Sequence, residues 1–104
     1  MASRSPDVRL NALEREIGLD KAIALYEKSI SQDSDENDAF ERLATIYRGR
    51  NQIADEVRVS KKAVAFYEHA VFVEHLESRL PVLNKFTKRV RAAELILSSQ
   101  REKE

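Results

Sequence analysis

A chain of 104 residues with 42% hydrophobic side chains has the length of one domain and the material for a modest core. Its 18 basic and 18 acidic side chains cancel, which removes any global attraction to nucleic acid or to an anionic membrane. The absence of cysteine excludes disulfides and thiol chemistry, and no stretch has the makings of a membrane span or signal peptide, so a soluble, cytoplasmic protein is expected.

Two glycines and two prolines leave long stretches free for helix. Ser5-Pro6-Asp7 reads as an N-cap, a first-turn proline and an acid favoured by the helix dipole. The first helix carries Val8, Leu10, Leu13 and Ile17 inward and stops near Gly18. A second, from about Leu19 to Ile30, sets Ala22, Ile23, Tyr26, Ser29 and Ile30 on one stripe. Ser31 to Asn37 is a polar loop, after which Asp38 and Glu41 have the spacing of a capping box for a third helix with Phe40, Leu43, Ala44, Ile46 and Tyr47 on its apolar face.

Gly49-Arg50-Asn51-Gln52 makes the next turn. From Ile53 to Leu80 there is no breaker, so a fourth helix of roughly 28 residues, about 42 Å, is expected. Its middle is apolar on most sides and needs cover from more than one direction. Pro81 opens a last helix, 81–99, whose Val82, Leu83, Phe86, Val90, Ala93, Leu95, Ile96 and Leu97 can supply that cover. Charge is uneven along the chain: residues 31–56 carry three basic and seven acidic side chains, and 57–104 carry ten basic and six acidic. Such a dipole can orient a partner or a second copy.

The segment Lys21 to Ile30 lies over Asp55 to Val64 at a spacing of 34 residues, with Ile23 on Val57, Lys28 on Lys62, Ser29 on Ala63 and Ile30 on Val64. That period belongs to arrays of helical hairpins, each burying its apolar face against the next. Phe40, Leu43, Ala44 and Tyr47, followed after a turn by Val57 and Ala63, resemble a tetratricopeptide repeat, and Ala22, Tyr26 and Ser29 resemble the second helix of a preceding one. The resemblance covers residues 8–66. It implies an all-α fold of antiparallel helical hairpins stacked as a short right-handed array, one domain over 1–104, with 81–99 as a terminal capping helix. Asn51 stands in place of a turn glycine, Ser60 in place of a bulky residue, and Glu56 where the family has alanine. A carboxylate there either meets Arg48 or Arg42 or tilts toward solvent.

For function the resemblance implies a non-catalytic scaffold or adaptor that binds a protein or peptide on a concave face. In this chain that face presents Asn11, Glu14 and Arg15, then Asp38, Glu41, Thr45 and Arg48. Of the family's clamp for a C-terminal carboxylate only Asn11 matches, and Thr45 breaks the pattern. These polar residues also fit an ordinary solvated face.

Asp33-Ser34-Asp35-Glu36-Asn37-Asp38 begins like a calcium loop, but Asp38 and Ala44 occupy the positions needing glycine and glutamate. His69 and His75 are six residues apart, about 120° around a helix, which does not suit a metal pair. No catalytic motif is present, and neither metal nor cofactor is expected. Two other readings remain. Lys85, Lys88, Arg89 and Arg91 could track phosphates, although no base-stacking aromatic accompanies them. Fewer than two complete repeats leave little core, so two copies could instead bury the fourth helix as a homodimer, with Phe66, Val73 and Leu76 as anchors.

Overall fold

Gly18 ends one helix and begins the next. Its φ of 90° and ψ of 152° lie in a region that only glycine occupies freely. In the computed structural model, which describes residues 6–32 and 37–102 and the side chains of 12–32 and 38–101, α1 spans Pro6–Ile17 and α2 spans Leu19–Ser31. The Gly18 amide donates to the Glu14 carbonyl at 2.9 Å, and the Gly18 carbonyl accepts from the Ala22 amide at 3.0 Å. A Cβ at position 18 would meet no atom within 4 Å, so Gly18→Ala is charged for backbone conformation alone. A loss of about 1–3 kcal/mol is expected. Urea denaturation of the variant measures it, and an unmoved midpoint would mean that the turn can adopt another conformation.

Three further helices follow: α3 Asn37–Gly49, α4 Ile53–Glu68 and α5 Leu80–Glu102. No strand occurs among the described residues, and the chain is all-α. Contacts group it into two compact units, Met1–Leu43 and Ala44–Glu104, with the boundary inside α3.

In the first unit α1 packs on α2. Ala22, Tyr26 and Ile30, at four-residue steps along α2, are buried, as are Ala39, Phe40 and Leu43 at the start of α3. Asp38 sits within the first turn of α3 rather than before it, so its carboxylate meets the helix dipole from inside instead of opening a capping box. The expected cap at Ser5 and the acidic loop Asp33 to Glu36 lie outside the described residues.

In the second unit Asn51 takes the left-handed conformation, φ 61°, that ends α3. The Gln52 amide reaches the Tyr47 carbonyl at 2.8 Å and the Asn51 amide reaches the Arg48 carbonyl at 3.1 Å, closing the last turn as a glycine would. Asparagine tolerates this conformation better than other side chains, and its Oδ1 also accepts from Gln100 Nε2 at 2.7 Å.

The fourth helix does not run on to Leu80. After Glu68 the backbone widens into a π turn, His69–Val73, and a 3-10 turn, Glu77–Arg79, then leads into α5. His75, at φ 61°, reverses the chain, while Glu74 donates to the His69 carbonyl at 3.1 Å and Leu76 to the Ala70 carbonyl at 2.9 Å. Those wide-spaced bonds satisfy carbonyls that the helix end would otherwise leave open. The reversal lays α5 against α4. Ile53, Val57 and Ala93 cluster there with Ile96 and Leu97 at their edge, and Tyr67 stacks on Phe86 with ring centres 6.2 Å apart. Ser60 is fully buried, and its hydroxyl has no hydrogen-bond partner among the described residues.

Candidate binding cleft

Glu56 lies in the first turn of α4, where the helix dipole favours a carboxylate. It is fully buried. Arg48, near the end of α3, donates from Nε to Glu56 Oε1 at 2.6 Å. Arg89, from α5, donates from NH1 to Oε2 at 2.8 Å, and its NH2 reaches Thr45 Oγ1 at 3.4 Å. Of the two arginines expected to reach Glu56, Arg48 does so and Arg42 does not; Arg89, 33 residues along the chain, supplies the second.

Both guanidinium groups edge a cleft of about 540 Å3 lined also by Pro81, Asn84, Lys85 and Lys88. The five α5 positions 81, 84, 85, 88 and 89 follow the three-and-four spacing of one helix face. Lys85 Nζ stands 5.1 Å from the Phe86 ring centre, a cation–π distance. With four cations at the cleft and one buried carboxylate beneath them, the local field favours anions. Arg91 does not join this group. It lines a smaller cleft of about 240 Å3 with Lys61, Val64, Thr87, Val90 and Glu94, where Lys61 and Glu94 pair at 3.1 Å.

The residues expected on a concave face have diverse surroundings. Asn11 belongs to α1, but its side chain lies outside the described residues. Arg15 is exposed, and Asp38 and Glu41 are half-buried in the first unit. Glu14 is engaged internally: Arg42 grips it with two bonds, Nε to Oε2 at 2.6 Å and NH2 to Oε1 at 2.8 Å, and the Tyr26 hydroxyl donates to Oε2 at 2.9 Å. Thr45 and Arg48, in the second unit, meet through Arg89. Of the expected dimer anchors, Phe66 is half-buried with its ring edge-on to Tyr67 at 5.0 Å, whereas Val73 and Leu76 are exposed. His69 and His75 are also exposed, His69 Nδ1 lying 3.5 Å from Glu74 Oε1. No helix among the described residues is long and apolar enough to cross a membrane.

The Arg42 hydrogen bonds hold the Glu14 carboxyl below its usual 4.5, against the opposing effect of burial. Burial first, and the Glu14 hydrogen bond second, push the Tyr26 hydroxyl up from 10.0 to about 12. A depressed carboxyl contributes stability that is complete above 4.5 and lost as pH falls through its lower folded value. A raised phenol contributes stability complete below 10.0 and lost as pH climbs toward about 12. Urea midpoints are therefore expected to fall at both ends, with Glu14→Gln flattening the acid limb and Tyr26→Phe the alkaline one. An acid limb unchanged by Glu14→Gln would assign that loss to other carboxylates.

The sequence alone does not mark Pro81, Asn84 and the Arg89–Glu56 bond as parts of one site. The helical spacing of the α5 stripe was available there; the packing of α5 beside the α3–α4 turn was not. In comparison with known proteins, no family model, no curated sequence and no solved structure matches this chain.

Proposed function

We propose that this protein is a non-catalytic interaction scaffold that holds an acidic segment of a partner protein in the cleft between the end of α3 and α5. One observation carries the reading: Glu56 anchors Arg48 and Arg89 at the edge of a cleft that Lys85 and Lys88 also line. Guanidinium groups held in place lose less side-chain freedom when they meet a carboxylate, and their planar forks suit it. The tetratricopeptide-like spacing of Phe40, Leu43, Ala44 and Tyr47 supports an adaptor role. A cysteine-free composition suits a reducing cytoplasm.

A peptide rather than nucleic acid is favoured because the chain as a whole is electrically neutral and, among the described residues, no aromatic side chain lines the cleft for bases to stack on. The test is fluorescence anisotropy with a labelled glutamate-rich peptide and a single-stranded oligonucleotide of equal charge. Binding of the peptide is expected, weakening with salt and falling about tenfold in Lys88→Glu, the equivalent of about 1.4 kcal/mol. Preference for the oligonucleotide, or indifference to Lys88→Glu, would overturn the reading.

A further inference from the structure

The same unit also exposes large apolar side chains. Within nine residues of the α4–α5 connection, Phe72 is 65% exposed, Val73 62%, Leu76 45% and Leu80 41%. Such a concentration of large apolar side chains marks a surface that gains by being covered. The backbone beneath it is closed by the Glu74–His69 and Leu76–Ala70 hydrogen bonds, and Arg79 donates to the Leu76 carbonyl at 2.9 Å. The π and 3-10 turns pack together, and the 3-10 turn packs on α5. Exposure at this knuckle is therefore held in place by the fold.

Leu80, at the head of α5, adjoins the charged cleft. Leu80 heads the four-residue row Leu80, Asn84, Lys88, and Pro81 heads the adjacent row Pro81, Lys85, Arg89. Leu80 is exposed, and the other five residues line the cleft. From Leu80 to Lys88 the helix rises about 12 Å, a distance that an extended peptide covers in about four residues.

We infer that the partner segment is amphipathic, its carboxylates seated among Arg48, Lys85, Lys88 and Arg89 and its bulky apolar side chains, about four residues away, resting on Phe72, Val73, Leu76 and Leu80. This rests on the acidic-segment reading of the cleft and adds the second half of the recognition. Charge complementarity selects this occupant over a second copy. A twofold contact centred on the cleft would bring the Lys85, Lys88 and Arg89 groups of the two copies together.

The test uses the full chain and three labelled peptides: one with glutamates and, about four positions away, leucine and phenylalanine; one with serines in place of those two apolar residues; and one with glutamines in place of the glutamates. The amphipathic peptide is expected to bind about tenfold more tightly than its serine counterpart, on the scale of burying part of two apolar side chains. That gain is expected to vanish in Phe72→Ser/Leu76→Ser, checked for retained fold by circular dichroism, while affinity for the serine peptide stays unchanged. Equal affinity of the two acidic peptides, or a gain that survives the double substitution, overturns the inference and leaves the cleft reading standing. Failure of both acidic peptides to bind overturns the cleft reading itself. Sedimentation of the peptide-free chain provides the remaining outcome: a dimer dissolved by Phe72→Ser/Leu76→Ser would make a second copy the occupant and overturn the inference.

Discussion

Replacing both Arg48 and Arg89 with alanine is expected to cost about 3–5 kcal/mol, the scale of stranding a buried charge. Glu56 is fully buried, and these two guanidinium groups, at 2.6 and 2.8 Å, are its partners. Neither arginine is itself deeply buried, so the penalty falls on the carboxylate they leave behind. A single Arg89→Ala variant keeps the Arg48 bond and should lose less. The revealing comparison is the triple variant Arg48→Met, Glu56→Leu, Arg89→Met, which removes the charges together. Apolar replacement of a complete buried ion cluster is often neutral or stabilising, so stability is expected to recover while binding of acidic peptide does not. Urea denaturation and peptide anisotropy on the three proteins separate holding the fold from holding a ligand. A double variant as stable as the parent would show that Glu56 reaches water in solution.

Phe86→Ala is expected to be comparably severe, about 3–5 kcal/mol, because it removes a large side chain from a packed interior and leaves a cavity. Phe86 and Tyr67 are both fully buried, their planes 1° apart, and Phe66 meets Tyr67 edge-on at 83°. Phe86 also stands between Lys85, which lines the cleft, and Thr87, whose hydroxyl donates to the Leu83 carbonyl of the same helix at 2.9 Å. Loosening the ring therefore loosens the stripe that carries the cations. Phe86→Leu, which keeps most of the apolar volume, should cost well under half as much. Equal losses for the two substitutions, read from denaturant midpoints, would mean that ring stacking rather than filled volume holds α5.

The helices whose ends carry chemical punctuation were legible in the sequence. Pro6 and Gly18 bracket α1, and Asn51 closes α3, because proline restricts φ and glycine or asparagine accommodates the conformations that end helices. The end of α4 carries no such mark. It depends on a π turn and on His75 taking a left-handed conformation, uncommon outside glycine although histidine tolerates it better than most, with α5 packed on α4. The candidate site divides along similar lines. Arg48 and Glu56 flank one turn, so their pairing follows from local geometry. Arg89 arrives only once α5 has folded back, and no local pattern announces that. The charge run from Lys85 to Arg91 looked uniform as a string of letters, whereas helical geometry assigns Lys85, Lys88 and Arg89 to one cleft and Arg91 to another. Glu14 looked available for a ligand because its partner Arg42 lies 28 residues away.

The hairpin of α4 and α5 also bears on the order in which the second unit assembles. Most of its packing joins elements adjacent along the chain, which gives the low contact order associated with rapid folding. Side-chain links toward the open end of the hairpin close greater loops than the Tyr67–Phe86 stack near its turn: Glu56 to Arg89 over 33 residues, Thr45 to Arg89 over 44 and Asn51 to Gln100 over 49. Loop-closure entropy sets these as late contacts, formed after the apolar packing near the turn has brought the two helices together. Interactions made late act chiefly on the rate of unfolding. The arginine that edges the cleft and the glutamine near the end of α5 thus serve as latches, governing how long the folded hairpin lasts more than how quickly it forms.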